Sequence, residues 1–195
     1  MSEERRFTRL RRGSEPEGPG FYVVPDGGMC LSVFLVIQPT GGDPRVLLGR
    51  IDPEAPWHHL GAIERSRLAT IGDRWLLPAS QLLFFESPEE AALRIVREHL
   101  ESDPFPLVGP SVFSEAYRRP ESRPADPHWD LHFIFRGRWP SDRPPRASPW
   151  KELAFLDPVT LDAVEIGRGH ADILDLVGLP PRRATAAPGP TTRPA

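Results

Sequence analysis

The chain has a single cysteine, a single lysine, two methionines and two tyrosines in 195 residues. One thiol, Cys30, cannot close an intrachain disulfide. A disulfide-stapled secreted scaffold is therefore excluded, and a reducing compartment fits. No apolar run approaches the roughly 18 residues that a membrane span needs. The first residues also lack the apolar core of a secretory signal, so a cytoplasmic location and no membrane partner are expected. Gly-x-Ser-x-Gly, Cys-x-x-Cys, the Gly-rich phosphate loop and the dinucleotide Gly pattern are all missing, which leaves several large enzyme classes without a motif here. The formal net charge of -3 gives no global pull toward nucleic acid. An excess of arginine over lysine, beside 25 prolines, reads as coding bias and not as a binding signal.

Both ends are poor in apolar residues. Residues 1–20 are rich in Arg, Glu and Gly, and residues 181–195 read "PRRATAAPGPTTRPA". Neither segment buries enough surface to offset its ordering entropy. The expected organisation is an unordered Arg-rich arm over 1–20, one folded domain over 21–180 and an unordered tail over 181–195. The basic start "RRFTRLRR" reads as a solvated arm before it reads as an anion-binding one.

Within the domain, "MCLSVFLVIQ" (29–38) has the length and β-branched content of a strand, with Cys30 as a small core residue. "TGGDP" is a turn and "RVLLGRI" (45–51) a second strand, so the pair predicts a hairpin. "RWLLPASQLLFF" (74–85) is extended and interrupted at Pro78. Strands are also predicted over 110–117, 128–139 and 151–157, and a closing helix over 170–179. Between 86 and 102 the text is helical. Ser87 is an N-cap, Pro88 suits the first helical position, and Glu90 closes a capping box. Strands, helix, strands, helix predict an α/β (α+β) fold, a mixed sheet with helices on its faces.

At about 100° per residue, Ala92, Leu93, Val96 and Leu100 make the stripe expected to pack on the sheet. Glu90, Arg94, Arg97 and Glu101 make a charged side. Ala91, Ile95, His99 and the edge residue Glu98 lie between them. Arg94 lies four residues from both Glu90 and Glu98, which reads as a salt bridge within the helix or, no more strongly, as a phosphate contact.

The segment from Ser80 onward resembles the Nudix box, which runs Gly, five residues, Glu, seven residues, then Arg-Glu-apolar-any-Glu-Glu-any-Gly-apolar. Glu86, Arg94, Val96 and Glu98 match, which is four of nine fixed positions. Ser80, Ile95, His99, Glu101 and Ser102 depart from it. "WLLPAS" stands where that family carries a Pro-Gly-Gly strand end, and "ESPEEAALR" follows its loop-to-helix wording. The resemblance spans about residues 28–179 and implies a Nudix-like mixed β-sheet sandwiched between helices. By resemblance, Glu86, Arg94 and Glu98 are the catalytic candidates. Glu86, Glu98 and His99 are the candidate ligands of a divalent metal, Mg or Mn, which in such enzymes activates water against a pyrophosphate. Ile95 offers no lone pair, and one imidazole suits Mg²⁺ poorly.

Three further features remain. "HWDLH" puts His128, Asp130 and His132 on one strand face at metal-ligand spacing, although a polar, half-solvated face is the plainer reading. Ser80 offers a hydroxyl in place of a glycine N–H, and Arg168 in "GRGHAD" precedes a helix start, so both are candidate ligand-binding residues. His58 and His59 read as loop residues. The expected function is a Nudix-like domain that binds a nucleoside-diphosphate-type ligand with weak or lost hydrolysis. The alternatives are an active hydrolase using a rearranged metal site and a protein-interaction domain. Oligomeric state has no signal in the sequence.

Overall fold

A computed structural model of the chain describes residues 7–11, 21–23, 29–60, 68, 71–83, 85–118, 127–167 and 169–182. The elements are β1 (Phe7–Arg11), β2 (Phe21–Val23), β3 (Met29–Gln38), β4 (Val46–Ile51), α1 (Trp57–Leu60), β5 (Ala79–Gln81), α2 (Pro88–His99), β6 (Leu107–Arg118), β7 (Pro127–Arg138), β8 (Trp150–Leu156) and α3 (His170–Leu176). The fold is α+β. Its main sheet has the order β5-β3-β7-β6, and separate pairs are formed by β4-β8 and β1-β2. The main sheet is mixed, because β3 and β7 run parallel while β5 and β6 are antiparallel to their neighbours.

Two expectations are corrected here. β3 and β4 do not form a hairpin. Gly41 and Gly42 take positive φ in the intervening turn, and β4 leaves to pair antiparallel with β8 in a separate two-stranded sheet. Phe7–Arg11, assigned from composition to an unordered arm, is a strand that pairs parallel with Phe21–Val23 and lies beside β3 and β5. Its backbone finds partners that composition alone does not reveal. Residues 183–195 lie outside the described residues. Of the expected tail, Pro181 and Arg182 are described, and Arg182 pairs with Asp162 at 2.9 and 3.0 Å.

The sheet's two faces carry two cores. One face presents Val33, Leu35, Ile37 and Phe135 to Ala91, Ala92, Ile95, Val96 and Leu100 of α2. The other presents Phe34, Val36 and Ile134 to Ile173, Leu174 and Val177 of α3 and its end. Strict alternation along β3 produces this division, since successive side chains point to opposite faces. The β4-β8 pair feeds both cores, with Leu47 and Phe155 in the first and Val46 and Leu48 in the second. A third cluster holds Ile51, Trp57, Leu68, Leu76, Ala147 and Trp150.

Gly49 is required where β4 passes this cluster, because a Cβ there would run into the Trp150 ring. Helix α2 begins as its sequence predicts. Ser87 Oγ accepts from the Glu90 amide at 3.2 Å, and Glu90 Oε2 accepts from the Ser87 amide at 2.8 Å. This reciprocal cap is worth about 1 kcal/mol.

The start of α3 is tied to the extended segment before β5. The Leu77 amide donates to His170 Nδ1 at 3.0 Å, which fixes a neutral imidazole with its proton on Nε2. Phe34 stands edge-on to His170 and also to His132, at 5.3 and 5.2 Å between ring centres. Burial first, and then the neighbouring His132, pull the His170 pKa down to about 4.

Between that value and an unfolded value near 6.5, the unfolded chain binds the proton and the folded chain does not. The stabilisation is therefore complete above pH 6.5 and is lost as pH falls toward 4, by about 2–3 kcal/mol from this group. Urea unfolding at pH 7.5 and pH 4.5 is expected to show that loss, and His170→Gln to shrink it. An equal pH dependence in the variant would remove His170 as its source.

Candidate functional site

The residues singled out around α2 come together, but as a closed clamp. Arg94 is not on a solvated charged side. Its side chain is 9% exposed and that of Glu86 is 10% exposed. Arg94 Nε donates to Glu86 Oε1 at 2.6 Å, and Nη2 donates to Oε2 at 2.8 Å, a two-pronged match of guanidinium to carboxylate. The remaining donors reach the backbone and the strand. Nη2 meets the Gln81 carbonyl at 2.9 Å, and Nη1 meets Ser80 Oγ at 3.2 Å and the Leu60 carbonyl at 3.4 Å. Glu86 Oε2 also accepts from the Leu83 amide at 2.8 Å. The expected helix pairs with Glu90 and Glu98 are thus replaced by a partner eight residues back, in the loop.

The clamp has three consequences. The β5–α2 loop is held at both ends. Glu86 engages both oxygens, with the Arg94 guanidinium and the Leu83 amide. Ser80, 4% exposed, faces the helix, and its hydroxyl accepts from Arg94 Nη1. Between the tied points, Phe85 takes φ 65° and stands 92% exposed. That conformation costs a residue with a Cβ about 1 kcal/mol.

His99 and Ile95 do not flank an open site either. Both are fully buried. The His99 ring lies edge-on to Trp57 at 5.4 Å, and Trp57 in turn meets Trp150 at 4.7 Å. Trp150 Nε1 donates to the His99 carbonyl at 2.6 Å and Trp57 Nε1 to the Asp52 carbonyl at 3.0 Å. The positions where the box would place two carboxylates are therefore built into the packing between α2, α1 and β8. Glu98 alone among the expected ligands borders solvent beside α2. It lines a groove of about 470 Å³ with Leu83, Phe85, Glu90 and Arg97, above the Glu86–Arg94 floor.

Asp130 and His132 lie elsewhere. They register with Cys30 and Ser32 on β3, and Gln81 registers with Ser32. All of them share the face of Phe34 and α3, while α2 covers the opposite face. Asp130 and His132 are buried, at 8% and 6% exposure. Cys30 is buried as expected, with Gln81 Nε2 donating to its sulfur at 3.1 Å. The side chains of His58, His59 and His128 lie outside the described residues, as does Arg168.

A Mg²⁺ or Mn²⁺ ion needs several oxygens converging on one point. Among the described residues no three His, Cys, Asp or Glu side chains do so. The α2 residues do not fit a divalent metal, and no step is derived through one.

No family model and no curated protein matches the chain. Among solved structures it is similar to the E. coli dihydroneopterin triphosphate pyrophosphohydrolase, at 16% identity and TM-score 0.46, over 66% of this chain and 80% of that one. It is also similar to the Nudix domain of Shewanella oneidensis NrtR complexed with ADP ribose, at 13% identity and TM-score 0.42, over 80% of each chain. A third is the Nudix hydrolase RenU of M. smegmatis, at 17% identity and TM-score 0.45, over 79% of this chain and 88% of that one. These likenesses concern the course of the chain, and the site is read from its own residues. No helix among the described residues is long and apolar enough to cross a membrane.

Two substitutions test this geometry. Arg94→Lys keeps the charge but loses the fork, and is expected to destabilise the fold by about 3 kcal/mol in urea unfolding. A change within 0.5 kcal/mol, the usual scatter of surface substitutions, would mean the clamp is decorative. Phe85→Gly relieves the positive φ without uncovering a core and is expected to stabilise by about 1 kcal/mol. A loss of that size would show that the ring contributes to folding.

Proposed function

We propose that this chain is a Nudix-like binding module that takes a nucleoside-diphosphate-type ligand and does not turn it over by metal-dependent hydrolysis. One observation supports the second half. The two helix positions that would have to supply carboxylates, Ile95 and His99, are fully buried, Ile95 in the core between α2 and the sheet and His99 against Trp57 and Trp150. Glu86, the next candidate ligand, is held by Arg94 and the Leu83 amide. A hydroxide-generating ion would be left with Glu98 from this helix, too few hard oxygens for a dehydration-resistant cation.

A rearranged site that pools Glu98 with "HWDLH" meets a geometric obstacle, because Asp130 and His132 project from the opposite face of the sheet. Support for the first half comes from the box-like wording of residues 80–98 and from hydrogen-bonding groups on the α3 face. There Ser32 and Gln81 are half-buried beside Asp130 and His132, a polar floor suited to the edge of a base.

Calorimetry of ADP-ribose against the full chain tests the reading directly. Heat of binding is expected in EDTA, unchanged by Mg²⁺ or Mn²⁺, with no AMP released on prolonged incubation. Metal-dependent release of AMP would end it. A complementary test restores the box with Ile95→Glu and His99→Glu together. Burying two carboxylates is expected to cost several kcal/mol and to unfold or loosen the protein, not to create a Mg²⁺ site. A folded double variant that hydrolyses ADP-ribose would show that this flank is open after all.

A further inference from the structure

On the α3 face of the main sheet, one row of residues crosses all the strands. Gln81 of β5 registers with Ser32 of β3, Ser32 with His132 of β7, and His132 with Phe113 of β6. Helix α3 packs on the rows that follow, against Phe34, Val36 and Ile134, and runs away from the first row. Its far end is tied down by Arg136 Nη2, which lies further along β7 than His132 and donates to the Val177 carbonyl at 3.2 Å. Its first residue, His170, meets Phe34. The His170 end is therefore the end next to the row, where Gln81, Ser32 and Phe113 stay half-buried.

His170 carries a hydrogen-bond donor that the fold does not use. Its Nδ1 accepts from the Leu77 amide at 3.0 Å, so the ring is anchored and its proton sits on Nε2. Among the described residues no group accepts from that N–H. The ring is half-buried and is not sealed from solvent. Burial, and then the neighbouring His132, hold its pKa at about 4, so at neutral pH it donates without carrying charge. A phosphate gains most from charged donors, and a neutral imidazole offers it little. A ring nitrogen or carbonyl oxygen of a heterocyclic base is a neutral acceptor and matches this N–H. A fixed donor beside a polar row that ends in an aromatic ring is suited to reading one edge of a planar base.

We propose that His170 is the residue that reads the base of the nucleoside-diphosphate-type ligand, with its Nε2–H donating to a ring nitrogen or carbonyl oxygen of a base laid on the row Gln81, Ser32, His132 and Phe113. This rests on the ligand reading above and adds to it the residue that sets base specificity.

The test follows the His170 imidazole by NMR in full chain labelled with ¹⁵N-histidine, in EDTA at pH 7.5. ADP-ribose and pyrophosphate are titrated separately, with calorimetry in parallel. ADP-ribose is expected to move the His170 Nε2–H signal downfield and to slow its exchange with water. Nδ1, held by Leu77, is expected to stay in place. Pyrophosphate is expected to leave the Nε2–H signal unmoved. His170→Phe keeps a planar ring without a donor and is expected to weaken ADP-ribose binding about fivefold. If that variant does not fold, the wild-type signals decide the matter.

Heat of ADP-ribose binding with an unmoved Nε2–H signal would overturn this inference and leave the ligand reading standing. An equal shift with pyrophosphate would also overturn it, because the donor would then face phosphates. No heat with ADP-ribose would remove the ligand reading, and this inference with it.

Discussion

The ion pair between Glu86 and Arg94 is the constraint from which the rest of the site follows. It joins a loop residue to a helix residue eight positions on, at 2.6 Å, with both side chains about nine-tenths buried. A buried pair of this kind contributes little net energy against an apolar alternative, yet breaking one half of it is costly. Its consequence here is positional. Five donor contacts from Arg94 tie β5, the loop, the end of α1 and α2 into one unit. Glu86 is thereby committed inward, and the loop between the tied points must take up the residual strain at Phe85.

The sheet imposes a second constraint. Because β3 alternates without interruption, it sorts its neighbours into two independent cores. Polar residues on β7 fall on the α3 side, and the helix with the box-like sequence falls on the other. The two groups of candidate ligands are separated by a layer of backbone, and no side-chain rotation unites them.

Much of this was legible in the residues. The cap of α2 could be read from Ser87, Pro88 and Glu90 because capping is local. The strand segments could be read because β-branched runs and turn residues are local too. Pairing was not legible. The turn after β3 suggested a hairpin, but whether β4 pairs with β3 or β8 depends on side chains more than a hundred residues apart. Arg94 was misread for a related reason. Helical spacing reveals partners three or four residues away, and its actual partner lies in the preceding loop. The shared position of Glu86 and Arg94 in the box was the available signal. The burial of His99 and Ile95 was not legible because the residues around them, Trp57 and Trp150 for His99 and strand residues such as Leu35 and Phe135 for Ile95, are distant in sequence and carry no periodic mark.

The central claim, that no divalent ion is held at the α2 flank, is tested most directly by paramagnetic broadening of backbone amide signals in ¹⁵N-labelled protein during Mn²⁺ titration. The account predicts that Glu86, Ile95, Glu98 and His99 broaden no more than other amides of similar exposure. Selective loss of those four signals at low Mn²⁺, with recovery on adding EDTA, would contradict it.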